Sequence, residues 1–312
     1  MAPQRLLISN VINWLVIIAT ITISLLLSTV NPDMHTFCVL DMSLSYPSRS
    51  AKFSLPLFIT LSIIFPLLTI ISVSLFQPGR PTQHHPTPPQ GRIQKLKTLN
   101  ASLLGLGVSL ATSTVILTGV KNLTGKPRPN FLSICDPDLE NTERYTVGGF
   151  GVEVSRLWVM VDVEVCRQID KGALRDGFRS FPSGFATIAF AGLWYLSLFL
   201  CHWFGVGTTP LSSPRDIQHA TNVDATHEDN EPLLSSVLEP GAKMSRSADK
   251  EPTLFPVYLL LLPYIPLGLA IFIAGTRYFD FKNHGFDVLA GAVIGSVTAW
   301  LGFRMYHPSL WG

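Results

Sequence analysis

The stretch Leu99–Val120, LNASLLGLGVSLATSTVILTGV, contains no charged side chain and is followed directly by Lys121. A helix needs about 20 residues to cross the hydrocarbon core of a membrane, which is about 30 Å thick. The stretch therefore has the length and composition of a membrane span, and its cationic end lies where such a span would meet water. It predicts that the chain is embedded in a membrane.

The whole chain has the composition of a membrane protein. Of its 312 residues, 47% are hydrophobic and only 14% are charged, whereas about 25% charged is usual for soluble domains. The first apolar run is longer than a signal-peptide core and lacks a small-residue cleavage site after it, so we expect it to be retained. Six runs are long enough to span: Leu6–Val30, Ser54–Phe76, Leu99–Val120, Phe185–Val206, Leu254–Gly275 and Gly285–Phe303.

Two polar segments separate these runs. Residues 77–97 are rich in proline and end with basic residues, and residues 207–252 are polar without hydrophobic periodicity, which is typical of disorder. We expect one six-span domain over residues 1–312, with these segments as linkers. Six spans place both termini on the same side of the membrane as these linkers. The lysines and arginines of the short loops mildly favour the cytoplasm for that side, so we expect the linkers to be cytoplasmic.

The remaining composition narrows the function. A net charge of only +2 gives no indication of nucleic acid binding, and the 4 cysteines show no CxxC or metal-ligand spacing. Cys135 and Cys166 lie in one long loop, where they pair if the loop faces an oxidising lumen; free thiols are an equally good interpretation. The alternating stretch Trp158–Val165 in the same loop predicts short strands that fold over a site.

Two of the polar segments at the ends of apolar runs carry groups that suit an anion. Lys121 and Arg128 are spaced so that an ammonium and a guanidinium fork can converge on one phosphate. Ser183 and Gly184 precede the fourth run, where a serine cap and the positive helix end favour phosphate oxygens. A single boundary cation often only snorkels, so it is the combination that predicts a phosphate site.

A third segment, at the start of the last run, contains Arg277, Asn283, His284 and Asp287. A carboxylate at a membrane boundary needs a partner, which makes Asp287 a candidate functional residue. Asn283 lies four residues earlier and shares a helix face with Asp287 if the helix extends that far back. His284 lies three residues before Asp287, and a lone histidine at a membrane interface is commonly incidental.

Together these segments resemble the type 2 phosphatidic acid phosphatase superfamily, also called lipid phosphate phosphatases and related in fold to vanadium haloperoxidases. The family pattern is Lys-x6-Arg-Pro, then Pro-Ser-Gly-His, then Ser-Arg-x5-His-x3-Asp. The first block is complete here, but Phe185 and Asn283 stand where the family has its two histidines. The flanking segments Asp176–Phe181 and His284–Val288 resemble the fungal membrane-bound branch of the family.

The resemblance implies an all-α integral membrane protein with six transmembrane helices and an active-site cleft at the lumenal face. An intact member hydrolyses phosphate esters in two metal-independent steps without a cofactor. One histidine forms a phosphohistidine, and a second protonates the leaving oxygen. The resemblance assigns Asp287 to orienting the nucleophile, and it assigns phosphate binding to Lys121, Arg128, Ser183, Gly184 and Arg277.

The two replacements favour binding over turnover. Phe185 has no transferable proton, and the amide of Asn283 is not a nucleophile at neutral pH. Losing a nucleophile costs roughly a millionfold in acyl-transfer enzymes, so we expect a membrane protein that binds phosphorylated lipid or isoprenoid diphosphate with little hydrolysis. The alternatives are a working phosphatase with His284 as catalytic residue beside Asp287, and a structural or lipid-transport protein. The sequence names no protein partner.

Overall fold

The protein is mostly helical. Its computed structural model describes residues 2–76, 91–151, 153–155, 157–204 and 261–307. Three short strands form one sheet: β1 (Phe37–Cys38), β2 (Thr146–Gly148) and β3 (Met160–Val161). The helices are α1 (Ala2–Thr29), α2 (Leu55–Phe76), α3 (Gly91–Thr124), α4 (Phe131–Cys135), α5 (Lys171–Gly177), α6 (Gly184–Phe204), α7 (Tyr264–Phe279) and α8 (Gly285–Tyr306).

Five of the described helices, α1, α2, α3, α6 and α8, are long and apolar enough to cross a membrane. They coincide with five of the six predicted runs, and α1, α2, α3 and α8 expose large apolar side chains, as a lipid solvent requires, whereas α6 is the most buried of the five. The remaining run, Leu254–Gly275, lies partly outside the described residues, and its described part falls in the shorter apolar helix α7. The chain is therefore an integral, multi-pass membrane protein.

Helix α3 is longer than the apolar run that predicted it. It begins at Gly91, so residues 91–97, which we expected to be linker, are helical. Arginine, glutamine, lysine and leucine in this stretch are all good helix formers, and Lys95 Nζ donates to the carbonyl of Leu75 at the end of α2, 3.2 Å away. Residues 77–90 and the whole predicted linker 207–252 lie outside the described residues.

Small residues allow the helices around the site to approach closely. A Cβ atom at Gly295 of α8 would lie 2.3 Å from the carbonyl oxygen of Thr187 in α6, which leaves no room for any other residue. A Cβ at Gly192 would lie 2.0 Å from the carbonyl oxygen of Ser62. Ser62 lies in a π-helical turn of α2, and Gly192 lies in a π-helical turn of α6. Helix α6 is thereby held between α2 and α8.

The segment between α3 and α6 forms a small layer together with part of the connection between α1 and α2. The strands pair antiparallel in the order β1-β3-β2, which confirms the prediction of short strands. Phe131 is fully buried, with its ring 4.9 Å from that of Phe37 and 4.6 Å from that of Phe178. Of the two interpretations of the loop cysteines, the structure has the disulfide, between Cys135 and Cys166.

Candidate phosphate-binding site

The three polar segments identified in the sequence meet at a single place. The backbone N–H of Ser183 donates to the carbonyl of Asp287 across 2.9 Å, which joins the second segment to the third. The N–H of Ser180 donates to the carbonyl of Lys126 across 3.0 Å, which joins the second segment to the first. These bonds set the side chains of all three segments around the first turn of α6.

Lys121 lies in the last turn of α3 and points toward the first residue of α6. Its Nζ is 3.3 Å from the position that a Cβ atom would occupy at Gly184. The glycine therefore lets the ammonium approach the helix backbone. The first N–H groups of a helix have no intrahelical partner and favour anions, so a phosphate here would meet both kinds of donor.

Arg128 is almost completely buried, and its guanidinium is fixed by the end of α5. Nε donates to the carbonyl of Asp176 across 2.9 Å, and Nη2 forms an ion pair with the carboxylate of the same residue at 2.8 Å. Because the Asp176 side chain is exposed, this ion pair is screened by solvent. The fork of Arg128 is thus oriented before any ligand binds.

Arg277 is buried, with 5% of its surface exposed, at the end of α7. Its Cζ lies 4.0 Å from the centre of the Phe185 ring. Among the described residues, its Nε and Nη1 atoms are buried without a hydrogen-bond acceptor. Native proteins rarely leave buried charged donors unpaired, because each lost hydrogen bond is costly. An anion with two or more oxygens would supply the missing acceptors.

These cations act together on Lys282, in the turn between α7 and α8. Burial, followed by repulsion from Arg128 and then Arg277, lowers the pKa of Lys282, and Asp176 and Asp280 offset only part of this effect. The site therefore has a positive potential before a ligand arrives, which is the field that a phosphate group requires.

Asn283 faces the second segment rather than Asp287. Helix α8 begins at Gly285, with His284 as its extended N-cap, so the helix does not extend back to Asn283 and the condition for a shared face with Asp287 is not met. Asn283 Nδ2 donates to the carbonyl of Ser180, and its Oδ1 accepts from Ser183 Oγ across 3.2 Å. The hydroxyl of Ser183 consequently makes no side-chain cap on α6, contrary to prediction.

Asp287 is fully buried at the start of α8 and is bound from several sides. Its Oδ2 lies 3.1 Å from His284 Nδ1, so the three-residue spacing does bring these two predicted residues together. Ser180 Oγ donates to the same oxygen, and Lys126 Nζ pairs with Oδ1 at 2.8 Å. Sequence reasoning missed Lys126 and Ser180, although Asp287 invited a partner and Lys126 lies within the first block.

Phe185 is part of the apolar packing beneath the site. Its ring is stacked on that of Phe58 from α2, with 4.0 Å between the ring centres, and it also contacts the guanidinium of Arg277. The position where the family pattern has its second histidine thus holds an aromatic face. That face attracts a cation and offers no proton.

The chain is similar to known proteins over most of its length. The PAP2 superfamily matches residues 102–311. The chain is 28% identical over 211 residues to the probable diacylglycerol pyrophosphate phosphatase 1 of Schizosaccharomyces pombe, covering 67% of this chain and 54% of that protein. It is 25% identical over 280 residues to diacylglycerol pyrophosphate phosphatase 1 of Saccharomyces cerevisiae, covering 89% and 73%.

A plant relative covers nearly the whole chain. Lipid phosphate phosphatase 1 of Arabidopsis thaliana is 25% identical over 303 residues, which is 95% of this chain and 68% of that protein. No solved structure matches. Because the superfamily match covers more than half of the chain and includes all three polar segments, this protein belongs to the PAP2 superfamily.

Proposed function

We propose that this membrane protein binds the phosphate group of a phosphorylated lipid or isoprenoid diphosphate and hydrolyses it little or not at all. The observation that carries the proposal is the buried guanidinium of Arg277, whose Nε and Nη1 find no acceptor among the described residues. Lys121 lies against the start of α6, and Arg128 belongs to the same polar segment as Lys121. We call Lys121, Arg128, Ser183, Gly184 and Arg277 the cradle, and its cations match the equatorial oxygens of a phosphate in charge.

The chemistry of the site supports binding without efficient turnover. Asn283 is the side chain that contacts Ser183, so an amide stands beside the cradle where the family places its nucleophile. Phe185 supplies no proton to a leaving oxygen. The orienting carboxylate of Asp287 is held by Lys126, Ser180 and His284 instead of by a nucleophile at position 283.

A second candidate function is phosphatase activity with His284 as the nucleophile or base. The observation in its favour is the 3.1 Å contact between His284 Nδ1 and Asp287 Oδ2, which is the kind of bond that orients a catalytic imidazole. Against it, His284 contacts Ser180 at 3.5 Å, whereas the cradle serine, Ser183, is bonded to Asn283. We therefore rank it second.

The membrane arrangement is part of the same proposal. We assign α7 to the sixth predicted span, and we place the cradle on the lumenal side. The disulfide between Cys135 and Cys166 supports this side, because such bonds persist in oxidising compartments. The polar segments 77–90 and 207–252 then face the cytoplasm, and a single domain covers residues 1–312.

Phosphate release and ligand binding, measured on the same purified protein, test the proposal. Phosphatidate, diacylglycerol pyrophosphate and farnesyl diphosphate should release almost no phosphate, while at least one of them binds. His284→Ala should leave this low rate unchanged. Robust release that His284→Ala abolishes would establish the second function, and absence of both release and binding would leave the cradle without a role.

A further inference from the structure

Arg49 and Lys52, on the segment that precedes α2, form a cationic rim beside the cradle. The backbone anchors this segment at two points: the N–H of Tyr46 donates to the carbonyl of Pro129 across 3.1 Å, and the N–H of Lys52 donates to Asp280 Oδ2 across 2.9 Å. Pro129 follows Arg128 directly, and Asp280 lies in the turn between α7 and α8. The segment therefore bridges two walls of the cradle.

Aromatic contacts hold the same segment over that turn. The ring of Tyr46 is stacked on Phe281 with 4.6 Å between centres, and the guanidinium carbon of Arg49 lies 4.6 Å from the Phe281 ring. Phe281 has φ of 55°, a left-handed conformation that is uncommon for a bulky residue. Such strained residues persist where their surroundings fix them and cluster at ligand sites.

The rim cations have donors free for a ligand. Arg49 and Lys52 are exposed, and among the described residues neither forms an ion pair with a carboxylate. A guanidinium that is stacked face-on against a ring keeps its in-plane N–H groups available at its edge. Lys282 follows Phe281 directly, so its backbone is about 3.8 Å further along the chain from the residue that Arg49 covers.

The geometry points to a second anion subsite formed by Arg49, Lys52 and Lys282, which holds one phosphate of a diphosphate group while the cradle holds the other. The inference rests on the proposed function, because the cradle must first bind phosphate. Lys282 links the two subsites, since it is adjacent to Asn283 on one side and to Phe281 on the other. The ligand class is then an esterified diphosphate rather than a monophosphate.

Binding of matched ligands to the full-length protein tests this subsite. We use farnesyl diphosphate and farnesyl monophosphate, which share one tail, and inorganic pyrophosphate, which has none. Arg49→Ala and Lys52→Ala should each weaken diphosphate binding by about tenfold, the effect of losing one charged hydrogen bond, and should change monophosphate binding less than twofold. Lys52 is anchored through its backbone, so alanine leaves the segment in place.

Arg144→Ala is the matched control, because Arg144 also lies over an aromatic ring, 6.0 Å from the centre of Tyr145, but in the short helix Thr142–Tyr145. It should leave both affinities unchanged. If Arg49→Ala weakens binding of the two farnesyl ligands equally, the subsite is overturned. If it instead weakens binding of the protein to vesicles of phosphatidylserine by as much, Arg49 belongs to the bilayer surface, which also overturns the subsite. If inorganic pyrophosphate binds with the same affinity as farnesyl diphosphate, the ligand is free diphosphate and not an esterified one. Failure of both farnesyl ligands to bind the wild type would overturn the subsite for this tail, whereas the proposed function would fall only if phosphatidate and diacylglycerol pyrophosphate also failed to bind.

Discussion

Replacing Arg277 by methionine separates the stability of this protein from its binding. Methionine keeps much of the side-chain volume and the contact with Phe185, but it removes two buried donors that lack an acceptor among the described residues. Each such donor costs about 1–3 kcal/mol in the free protein, and the cation–π contact returns about 0.5–2 kcal/mol. At the middle of these ranges the two donors together cost about 4 kcal/mol and the contact returns about 1 kcal/mol, so Arg277→Met should stabilise the ligand-free protein by about 3 kcal/mol.

The same change should destroy binding. Each charged hydrogen bond to phosphate contributes about 1.5–3 kcal/mol, so losing two of them weakens affinity by about 10²- to 10⁴-fold. Thermal unfolding in detergent, with and without farnesyl diphosphate, measures both effects. The ligand should raise the Tm of the wild type, whereas Arg277→Met should begin with a higher Tm and show no further rise.

Arg304→Met provides the control for that experiment. Arg304 also contacts an aromatic ring, with its Cζ 5.1 Å from the centre of Trp300, but it lies in the last turn of α8. At 1.5 Å per residue it is about 25 Å from Asp287 in the first turn. It should keep the full ligand-induced rise in Tm. A lower Tm for ligand-free Arg277→Met, together with an undiminished response to ligand, would refute the reasoning.

Three further predictions concern the neighbouring residues. Changing Phe185 and Asn283 together to histidine should give phosphate release well above the wild-type rate in a malachite green assay, and an unchanged rate would mean that the missing imidazoles are not what limits hydrolysis. Lys126→Met should lower stability by about 1–2 kcal/mol, measured by denaturation, because the buried carboxylate of Asp287 loses its ion pair while the half-exposed lysine limits the loss; Lys126→Arg should restore most of it. An anionic ligand should raise the lowered pKa of Lys282, so that binding takes up protons. The affinity should therefore fall as the pH rises through the alkaline range. Binding measured over a series of pH values should lose this part of its pH dependence in Lys282→Met.

Most of the architecture follows from the sequence because a lipid solvent leaves few choices. Apolar runs must become helices in a membrane, and α8 begins at Gly285, as its run predicts. Helix bounds were harder where polar residues continue a helix, as at Gly91, since lysine and arginine are good helix formers outside the lipid as well. The π turn at Phe190–Trp194 has no sequence signal, because it arises from packing against α2.

The sequence predicts which charged residues form the site better than it predicts their hydrogen-bond partners. Lys121, Arg128 and Arg277 were identified because their spacing at span ends is unusual, and the structure brings their segments together. The partners of Asn283 were missed, since they depend on where α8 starts, and one residue of difference turns a helical side chain by about 100°. The cap at His284 decided that start.

A single-turnover experiment with radiolabelled phosphate on a bound lipid tests the central claim most directly. Purified wild-type protein is mixed with farnesyl diphosphate labelled on its terminal phosphate, quenched over time and separated to count label on protein, on intact ligand and in free phosphate. We predict that the label stays on intact ligand, with none on the protein. Label that becomes covalently attached to the protein, or free phosphate released within one turnover, would contradict the account.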